Sequence, residues 1–166
     1  MPKNLPLTSI DFDFGIGKII PATQEAYRSG FDAAMRKAEK ESLSVFKTII
    51  GSELDSRLVK NEMFPTDGEV FIFVIQYFAG EKEYGRRDID NMSKTVLDLL
   101  KGRFYRDDSQ VKTLLVGKKL EKRVPQDFAY IAIKRLTASQ DVDALKISGL
   151  ERSVTLFQEL KARRVL

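Results

Sequence analysis

The chain contains neither cysteine nor histidine among its 166 residues, and it also lacks tryptophan. Without cysteine it can form no disulfide, thiolate zinc site, iron–sulfur cluster or cysteine nucleophile. Without histidine it loses the commonest general base, the Ser-His-Asp arrangement and every imidazole metal site. Any chemistry must therefore use carboxylates, amines and hydroxyls, or a cation that prefers oxygen ligands.

Long apolar stretches are also missing. The longest apolar run, at residues 70–78, is too short to cross a bilayer, and the first 14 residues lack the apolar core of a signal peptide. Hydrophobic residues make up 43% of the chain and charged residues 31%, which is the composition of an ordinary folded protein. We therefore expect a single domain, residues 1–166, in the cytoplasm and with no membrane partner.

Positive charge is concentrated in one segment. The formal net charge of the chain is +4, but residues 101–123 alone hold eight basic and three acidic side chains. A basic surface of this kind can neutralise phosphates and release their counterions, which favours a nucleic-acid partner. Alternatively, the lysines protect the edge of a solvated pair of strands, and charge alone does not decide between these interpretations.

Four segments have the hydrophobic pattern of β-strands. Alternation at residues 10–14 predicts a half-buried strand. Residues 70–78 are almost continuously apolar, which is typical of a central strand covered on both faces. Two further strands are predicted at residues 111–120 and 128–136, with a turn between them.

Helical periodicity predicts four helices among these strands. The first is capped by Thr23, the second is interrupted by Gly51, the third covers residues 92–101 and ends at Gly102, and the fourth lies at residues 150–160. The predicted fold is α+β, a mixed β-sheet with helices packed on it, in the approximate order β-α-α-β-α-β-β-α.

Acidic side chains are concentrated on either side of the third helix. Asp88 and Asp90 point to the same side if the chain is extended there, and Lys94 lies one helical turn after Asp90. Asp107 and Asp108 follow the helix, and a loop that turns back would bring them to the N-terminal end of the helix, near Asp88 and Asp90. Several carboxylates and one ammonium group would then converge. In the alternative interpretation, Asp90 only caps the helix and Asp107 forms a turn entering the next strand.

Converging carboxylates repel one another, so they need a compensating cation, and oxygen ligands select Mg²⁺ or Mn²⁺. Such an ion beside a lysine can hydrolyse a phosphodiester without histidine, because the metal activates a water and stabilises charge on the phosphate. This pattern therefore predicts a magnesium or manganese site that acts on phosphodiesters.

The same residues are part of a longer motif. Arg87-Asp88-Ile89-Asp90-Asn91 is followed by Lys94 and Asp98, and after a short loop by Asp107-Asp108-Ser109-Gln110-Val111. This order and spacing resembles the signature of RusA-type Holliday junction resolvases, small metal-dependent endodeoxyribonucleases often carried by prophages. The resemblance covers about residues 71–136. It implies a nuclease core at about residues 65–136 and a C-terminal helical extension at about residues 138–166.

The resemblance also implies roles for individual residues. Asp88, Asp90 and Asp108 match the catalytic metal ligands of the family, and Lys94 matches a lysine implicated in catalysis. Asp107 is a further candidate ligand, because it directly precedes Asp108. The family acts as a homodimer that places paired symmetric nicks across a four-way DNA junction, which implies a role in DNA recombination and repair.

Other residues near the proposed site are candidates for support and for DNA contact. Polar residues expected to orient the carboxylates are Asn91, Asp98 and Gln110. Basic residues expected to hold phosphates are Arg86, Arg87, Lys101, Arg103, Lys118, Lys119 and Lys122. Phe104 and Tyr105 could wedge into a junction, but Phe104 at least is expected to pack under the loop as core.

Two other functions stay open. The chain could be a catalytically inactive protein of the same fold that binds branched DNA, although its intact acidic residues argue against this. It could also be a metal-dependent nucleotide pyrophosphohydrolase, but so small a substrate does not require the basic segment at residues 101–123.

Overall fold

The computed structural model describes residues 10–23, 33–136, 157–159 and 161–163. In this part of the chain the elements follow one another as β1 (Phe12–Ile16), α1 (Ala33–Leu58), β2 (Val70–Phe78), α2 (Glu81–Arg86), α3 (Ile89–Leu100), a 3-10 turn (Asp108–Gln110), β3 (Val111–Leu120) and β4 (Phe128–Arg135). The predicted α+β class and order are confirmed. The predicted C-terminal helix lies mostly outside the described residues. None of the described helices is long and apolar enough to span a bilayer.

The four strands form one mixed sheet in the order β1-β4-β2-β3. β4 is antiparallel to both β1 and β2, whereas β2 and β3 are parallel. β2 therefore separates β3 from β4, although these two strands follow one another in the chain. The reason is that a parallel partner for β2 requires a crossover connection, which α2 and α3 provide.

The core lies on one face of this sheet. Along β1, buried and exposed side chains alternate, as the period-two pattern predicts. Along β2, buried side chains alternate with half-buried ones, so one face of this central strand is covered completely and the other only in part. The apolar side chains that the helices add to the core are Phe46, Ile50 and Leu54 of α1, and Met92, Val96, Leu99 and Leu100 of α3.

α1 continues without a break through Gly51, where the sequence predicted an interruption. A Cβ atom at this position would lie 2.7 Å from a guanidinium nitrogen of Arg103. The missing side chain leaves room for Arg103 to cross α1 and donate to Asp55 at 2.7 Å. Glycine here is explained by close packing rather than by a helix end. The two helices predicted after Thr23 are one continuous helix over residues 33–58, and residues 24–32 lie outside the described part of the chain.

Gly102 follows α3 in the left-handed region, with φ at +82°. Its N–H donates to the carbonyl oxygen of Tyr105 at 2.7 Å, which closes a tight turn. Replacing Gly102 by alanine should lower the free energy of unfolding by about 1–2 kcal/mol, because a Cβ atom strains this backbone conformation. No heavy atom lies within 4 Å of that Cβ position, so a steric clash would not add to the effect. Urea unfolding of both proteins measures the difference. An unchanged midpoint would contradict the prediction.

Candidate active site

Two acidic residues lie at the start of α3. Asp88 is the N-cap residue, with extended backbone at φ −98° and ψ 136°, and Asp90 follows in the first turn. The alternative in which Asp90 caps the helix is therefore wrong. A helix N-terminus carries a partial positive charge, so acidic side chains are favoured at this position.

Asp88 and Asp90 line an open pocket of about 400 Å³, together with Arg87, Ile89 and Lys118. Asp88 is half-buried, whereas Asp90 is exposed. Lys118 is 28 residues further along the chain than Asp90, and it reaches the pocket because α3 packs against β3. The pocket therefore combines two carboxylates with two cationic side chains.

Backbone oxygens hold the Lys118 ammonium group in place. Its Nζ atom donates to the carbonyl of Tyr84 at 2.7 Å and to that of Arg87 at 2.8 Å. It also lies 4.5 Å from the centre of the Tyr84 ring. These contacts join the end of β3 to the link between α2 and α3, where Asp88 lies. Lys118 therefore positions the acidic residues and also adds positive charge to the pocket.

Lys94 was the lysine expected beside the acidic residues. It lies one turn after Asp90, and the i, i+4 spacing puts both residues on the same face of α3. Its side chain is exposed, and it is not among the residues that line the pocket. The ammonium group that lines the pocket belongs to Lys118, which the sequence indicated only as one of several basic residues expected to hold phosphates.

The second acidic pair lies in the 3-10 turn before β3. Asp107 is its N-cap and accepts hydrogen bonds from the backbone N–H and the hydroxyl of Ser109, which lower the pKa of the Asp107 carboxyl group. Gln110 accepts from the N–H groups of Arg106 and Asp107 and donates to two carbonyl oxygens of the loop at residues 66–68. The alternative in which Asp107 forms a turn entering the strand is confirmed. Gln110 orients the segment that carries Asp108.

The two acidic pairs lie at opposite ends of α3. Nζ of Lys101, the C-cap residue, is 3.7 Å from Asp107 and 3.6 Å from Asp108, whereas Asp88 is the N-cap. A helix of 12 residues and its two caps span about 20 Å. Within the ranges that the structure describes, no three acidic side chains lie close enough to hold a metal ion together. The loop after α3 turns at the C-terminal end of this helix. It therefore does not bring Asp107 and Asp108 back to the N-terminal end, where Asp88 and Asp90 lie.

The pocket still offers suitable ligands for a divalent cation. Mg²⁺ retains several waters and is commonly bound by one or two carboxylates together with substrate phosphate oxygens. Asp88 and Asp90 supply two carboxylates on one pocket wall. Their chemistry fits Mg²⁺ or Mn²⁺, and they are the residues of the pocket that would hold such an ion.

The basic residues predicted to contact phosphates differ in how strongly they are bound to other groups of the protein. Arg86 and Arg87 both contact Glu83, at 3.3 Å and 3.0 Å, and Lys122 contacts Glu81 at 2.8 Å. The pairs made by Arg86 and Lys122 are exposed, and exposed ion pairs are worth about 0–1 kcal/mol, so a phosphate can replace the acidic partner there. The Arg87 side chain is only 15% exposed. Lys119 is also exposed, at the end of β3.

Arg103, another of the predicted phosphate contacts, is engaged within the protein. It donates to Asp55 and to the carbonyl of Leu99 while lying across Gly51. These contacts tie the loop after α3 to α1. Its position therefore indicates a structural role rather than a contact with DNA.

Phe104 and Tyr105 are both completely buried. The Tyr105 hydroxyl donates to the carbonyl of Leu97 at 3.0 Å. Burial, with further contributions from the charges of Asp108 and Asp98, raises the pKa of Tyr105, so the hydroxyl stays protonated. The expectation that Phe104 is core is confirmed. A wedge made by either ring is excluded, because neither ring reaches the surface.

The remaining predicted supporting residues lie along α3. Asn91 is buried beside Asp90, in the first turn of the helix. Asp98 is exposed two turns further on, towards the C-terminal end. Asn91 is therefore next to a pocket residue in the chain but does not line the pocket, whereas Asp98 lies towards the end of α3 that is near Asp108.

Two buried polar residues that the sequence analysis did not single out attach the segment after β1. Gln76 accepts from the N–H of Ile20 at 2.9 Å and donates to the carbonyl of Phe128 at 3.0 Å. Thr95 donates to the carbonyl of Pro21 at 2.6 Å. Gln76 lies in β2 and Thr95 in α3, and each is a polar residue among the apolar residues of a buried face. A polar residue at a position where the pattern predicts an apolar one is the sequence signal that identifies such residues.

The chain is similar to a known protein family. The family model described as endodeoxyribonuclease RusA matches residues 17–133. This range includes β2, β3 and most of β4, the pocket and both acidic pairs, whereas β1 precedes it. No curated protein matches the chain significantly. Because the family model covers well over half of the chain, the protein belongs to the RusA family of endodeoxyribonucleases.

Proposed function

We propose that the protein is a Holliday junction resolvase, which uses Mg²⁺ or Mn²⁺ to cut four-way DNA junctions by paired symmetric nicks in recombination and repair. The observation that carries this proposal is the pocket at the start of α3, where Asp88 and Asp90 lie beside Lys118 and Arg87. Membership of an endodeoxyribonuclease family supports a DNA phosphodiester as the substrate.

In this proposal, two of the pocket residues bind the cation and two bind the substrate. Asp88 and Asp90 would hold the divalent cation, which would stabilise charge on the phosphate and make the attacking water more acidic. Lys118 and Arg87 hold the phosphate against the carboxylates. The chain has no histidine, so Lys94, on the same face as Asp90, is the nearby group for positioning the water or the phosphate.

The surface around the pocket suits a large polyanion. Arg86, Lys119 and Lys122 are exposed, and they extend the positive charge beyond the pocket. A mononucleotide would not require this extension, which disfavours a nucleotide pyrophosphohydrolase. Two symmetric nicks require two sites related by a two-fold axis, so we propose a homodimer that acts on DNA in the cytoplasm.

The proposal is tested with a labelled four-way junction and a linear duplex of the same sequence. Purified protein is incubated with each DNA in Mg²⁺, in Mn²⁺ and with a chelator. We expect paired nicks on opposing strands of the junction only, and no nicks with the chelator. Tight binding to the junction without nicks in either metal would instead identify an inactive DNA-binding protein. Equal nicking of the linear duplex would contradict junction specificity.

Replacing Lys118 by methionine should lower the nicking rate by about 10- to 100-fold, because it removes two hydrogen bonds from a charged donor that position the link before Asp88. Lys119→Met is the matched control, since Lys119 is the exposed neighbour on the same strand. It should weaken DNA binding in a salt-dependent manner and leave the rate at saturating DNA nearly unchanged. Equal effects of the two substitutions on that rate would contradict the role of Lys118.

A further inference from the structure

The short helix α2 leads directly into the acidic pocket, because the residue that follows it, Arg87, lines that pocket. Contacts with two strands hold this helix in place. The Tyr84 ring packs edge-on against Phe78 of β2, with ring centroids 5.8 Å apart, and the Tyr84 carbonyl accepts from Nζ of Lys118 in β3 at 2.7 Å. A helix of six residues is not stable in isolation, so these contacts determine where its side chains lie.

The backbone of Arg87 is held on both sides. Its N–H donates to the carbonyl of Glu83 at 3.1 Å, and its carbonyl accepts from Nζ of Lys118 at 2.8 Å. An arginine side chain has many rotamers, however, so a fixed backbone does not by itself fix the guanidinium group. Where the positive charge of Arg87 lies in the pocket therefore depends on the groups that the guanidinium contacts.

The carboxylate of Glu83 contacts two arginines. Its Oε1 atom is 3.3 Å from Nη1 of Arg86, and its Oε2 atom accepts from Nε of Arg87 at 3.0 Å. The two contacts differ in exposure, because the Arg86 side chain is 37% exposed and the Arg87 side chain only 15%. Solvent weakens an ion pair, so the contact with Arg87 is the stronger one. A DNA phosphate can therefore replace Glu83 at Arg86 while Arg87 stays bound to Glu83.

The contact with Glu83 also sets the direction of the Arg87 guanidinium. This group is planar and rigid, so a carboxylate bound at Nε orients the whole plane. Asp88 and Asp90 line the same pocket. Without Glu83, their negative charges would draw the guanidinium towards the carboxylate oxygens, where it would compete with a divalent cation. The contact with Glu83 resists this attraction and orients the guanidinium for a phosphate.

We propose that Glu83 is a positioning residue for DNA cleavage, which holds the guanidinium of Arg87 in the orientation that meets the phosphate to be cut. This inference rests on the proposed nuclease function and adds an acidic residue that acts through Arg87. It has a distinctive consequence. Removing Glu83 makes the surface around the pocket more positive, which favours DNA binding, and yet it should slow cleavage.

Replacing Glu83 by methionine tests the inference. Methionine is of similar length and is also a good helix former, so α2 should persist. We expect the nicking rate at saturating junction to fall about 10-fold, because a hydrogen bond between charged groups is lost. Affinity for the junction, measured by gel shift with a chelator, should be unchanged or tighter. An unchanged rate would overturn the inference, and so would a loss of both rate and affinity, which indicates damage to α2.

Glu81→Met is the matched control. Glu81 lies on the same helix and contacts Lys122 at 2.8 Å, but Lys122 is not among the residues that line the pocket. This substitution should tighten DNA binding in a salt-dependent manner and leave the rate at saturating junction nearly unchanged. If Glu81→Met and Glu83→Met slow cleavage equally, the rate depends on the total charge of α2 and the inference is wrong.

Double variants identify the arginine through which Glu83 acts. In an Arg87→Met background, Glu83→Met should cause no further loss of rate, because the group that it positions is already absent. In an Arg86→Met background it should cause its full loss of about 10-fold. The opposite pattern would show that Glu83 acts through Arg86, and it would overturn the inference.

The contact itself is measured without activity. NMR of ¹⁵N-labelled protein detects the Nε–H group of each arginine, and the Arg87 signal is identified by its loss in Arg87→Lys. We expect its proton to exchange with water about tenfold faster in Glu83→Met than in the wild type, and at the wild-type rate in Glu81→Met. Equal exchange in the wild type and Glu83→Met would overturn the inference. A wild type that nicks no junction in either metal refutes the proposed function instead, and this exchange measurement then decides whether Glu83 holds Arg87.

Discussion

Replacing Asp90 by asparagine is expected to lower the rate of junction cleavage by about a thousandfold. The substitution keeps the size of the side chain but removes one of the two negative charges that line the pocket. A divalent cation contributes several kcal/mol to stabilising charge in phosphoryl transfer, and each 1.4 kcal/mol corresponds to about a tenfold change in rate. Binding to the junction should be retained or tightened, because a negative charge near the DNA phosphate is removed.

Two measurements check this prediction. Single-turnover nicking of the labelled junction gives the rate, and gel-shift titration with the chelator present gives the affinity. Glu53→Gln is the control, because it removes an exposed carboxylate from α1 and should change neither quantity. Asp90→Asn protein that nicks at the wild-type rate would exclude Asp90 as an essential ligand.

The second large effect is on stability. Replacing Phe104 by alanine should lower the free energy of unfolding by about 3–5 kcal/mol, because it leaves a cavity in the core. The Phe104 ring is completely buried and packs edge-on against Phe12 and Phe64, with centroids 4.9 Å and 5.1 Å away. A typical domain is stable by only 5–15 kcal/mol, so the variant should unfold at a much lower urea concentration.

Phe157→Ala is the matched control for this substitution. Phe157 is 54% exposed, so its replacement should change the free energy of unfolding by no more than about 0.5 kcal/mol. If Phe104 contacted DNA instead of the core, its replacement would weaken junction binding and leave the urea midpoint unchanged. Unfolding curves and gel-shift titrations of both variants distinguish these outcomes.

The strands were predictable because their patterns are local. The alternation at residues 10–14, the apolar run at 70–78 and the segment at 111–120 all correspond to observed strands. Strand neighbours were not predictable in this way, because pairing is set by the crossover through α2 and α3 and leaves no mark in the strands themselves. The continuity of α1 was also hidden, since Gly51 is explained only by Arg103, which lies 52 residues away in sequence.

The acidic pocket was predictable from spacing alone, because Asp88 and Asp90 are two residues apart and stay together in most backbone conformations. The position of Asp108 was not, since it depends on where the intervening loop turns. Local spacing could not show that Gly102 and Tyr105 close this loop at the far end of α3. Lys118 lines the pocket because α3 packs against β3, which is a contact between distant parts of the chain. The sequence therefore indicated it only as one of several basic residues.

The pairing of β1 with β4 has a consequence for how the chain folds. Phe12 is opposite Ile133, so β1 can pair with β4 only after almost the whole nuclease core has been synthesised. Closing a loop of this length has a large entropic cost, and contacts so distant in sequence slow folding. Until β4 leaves the ribosome, the backbone of β1 has no neighbouring strand with which to form hydrogen bonds. The first strand of the sheet to be made is therefore the last to be joined to it.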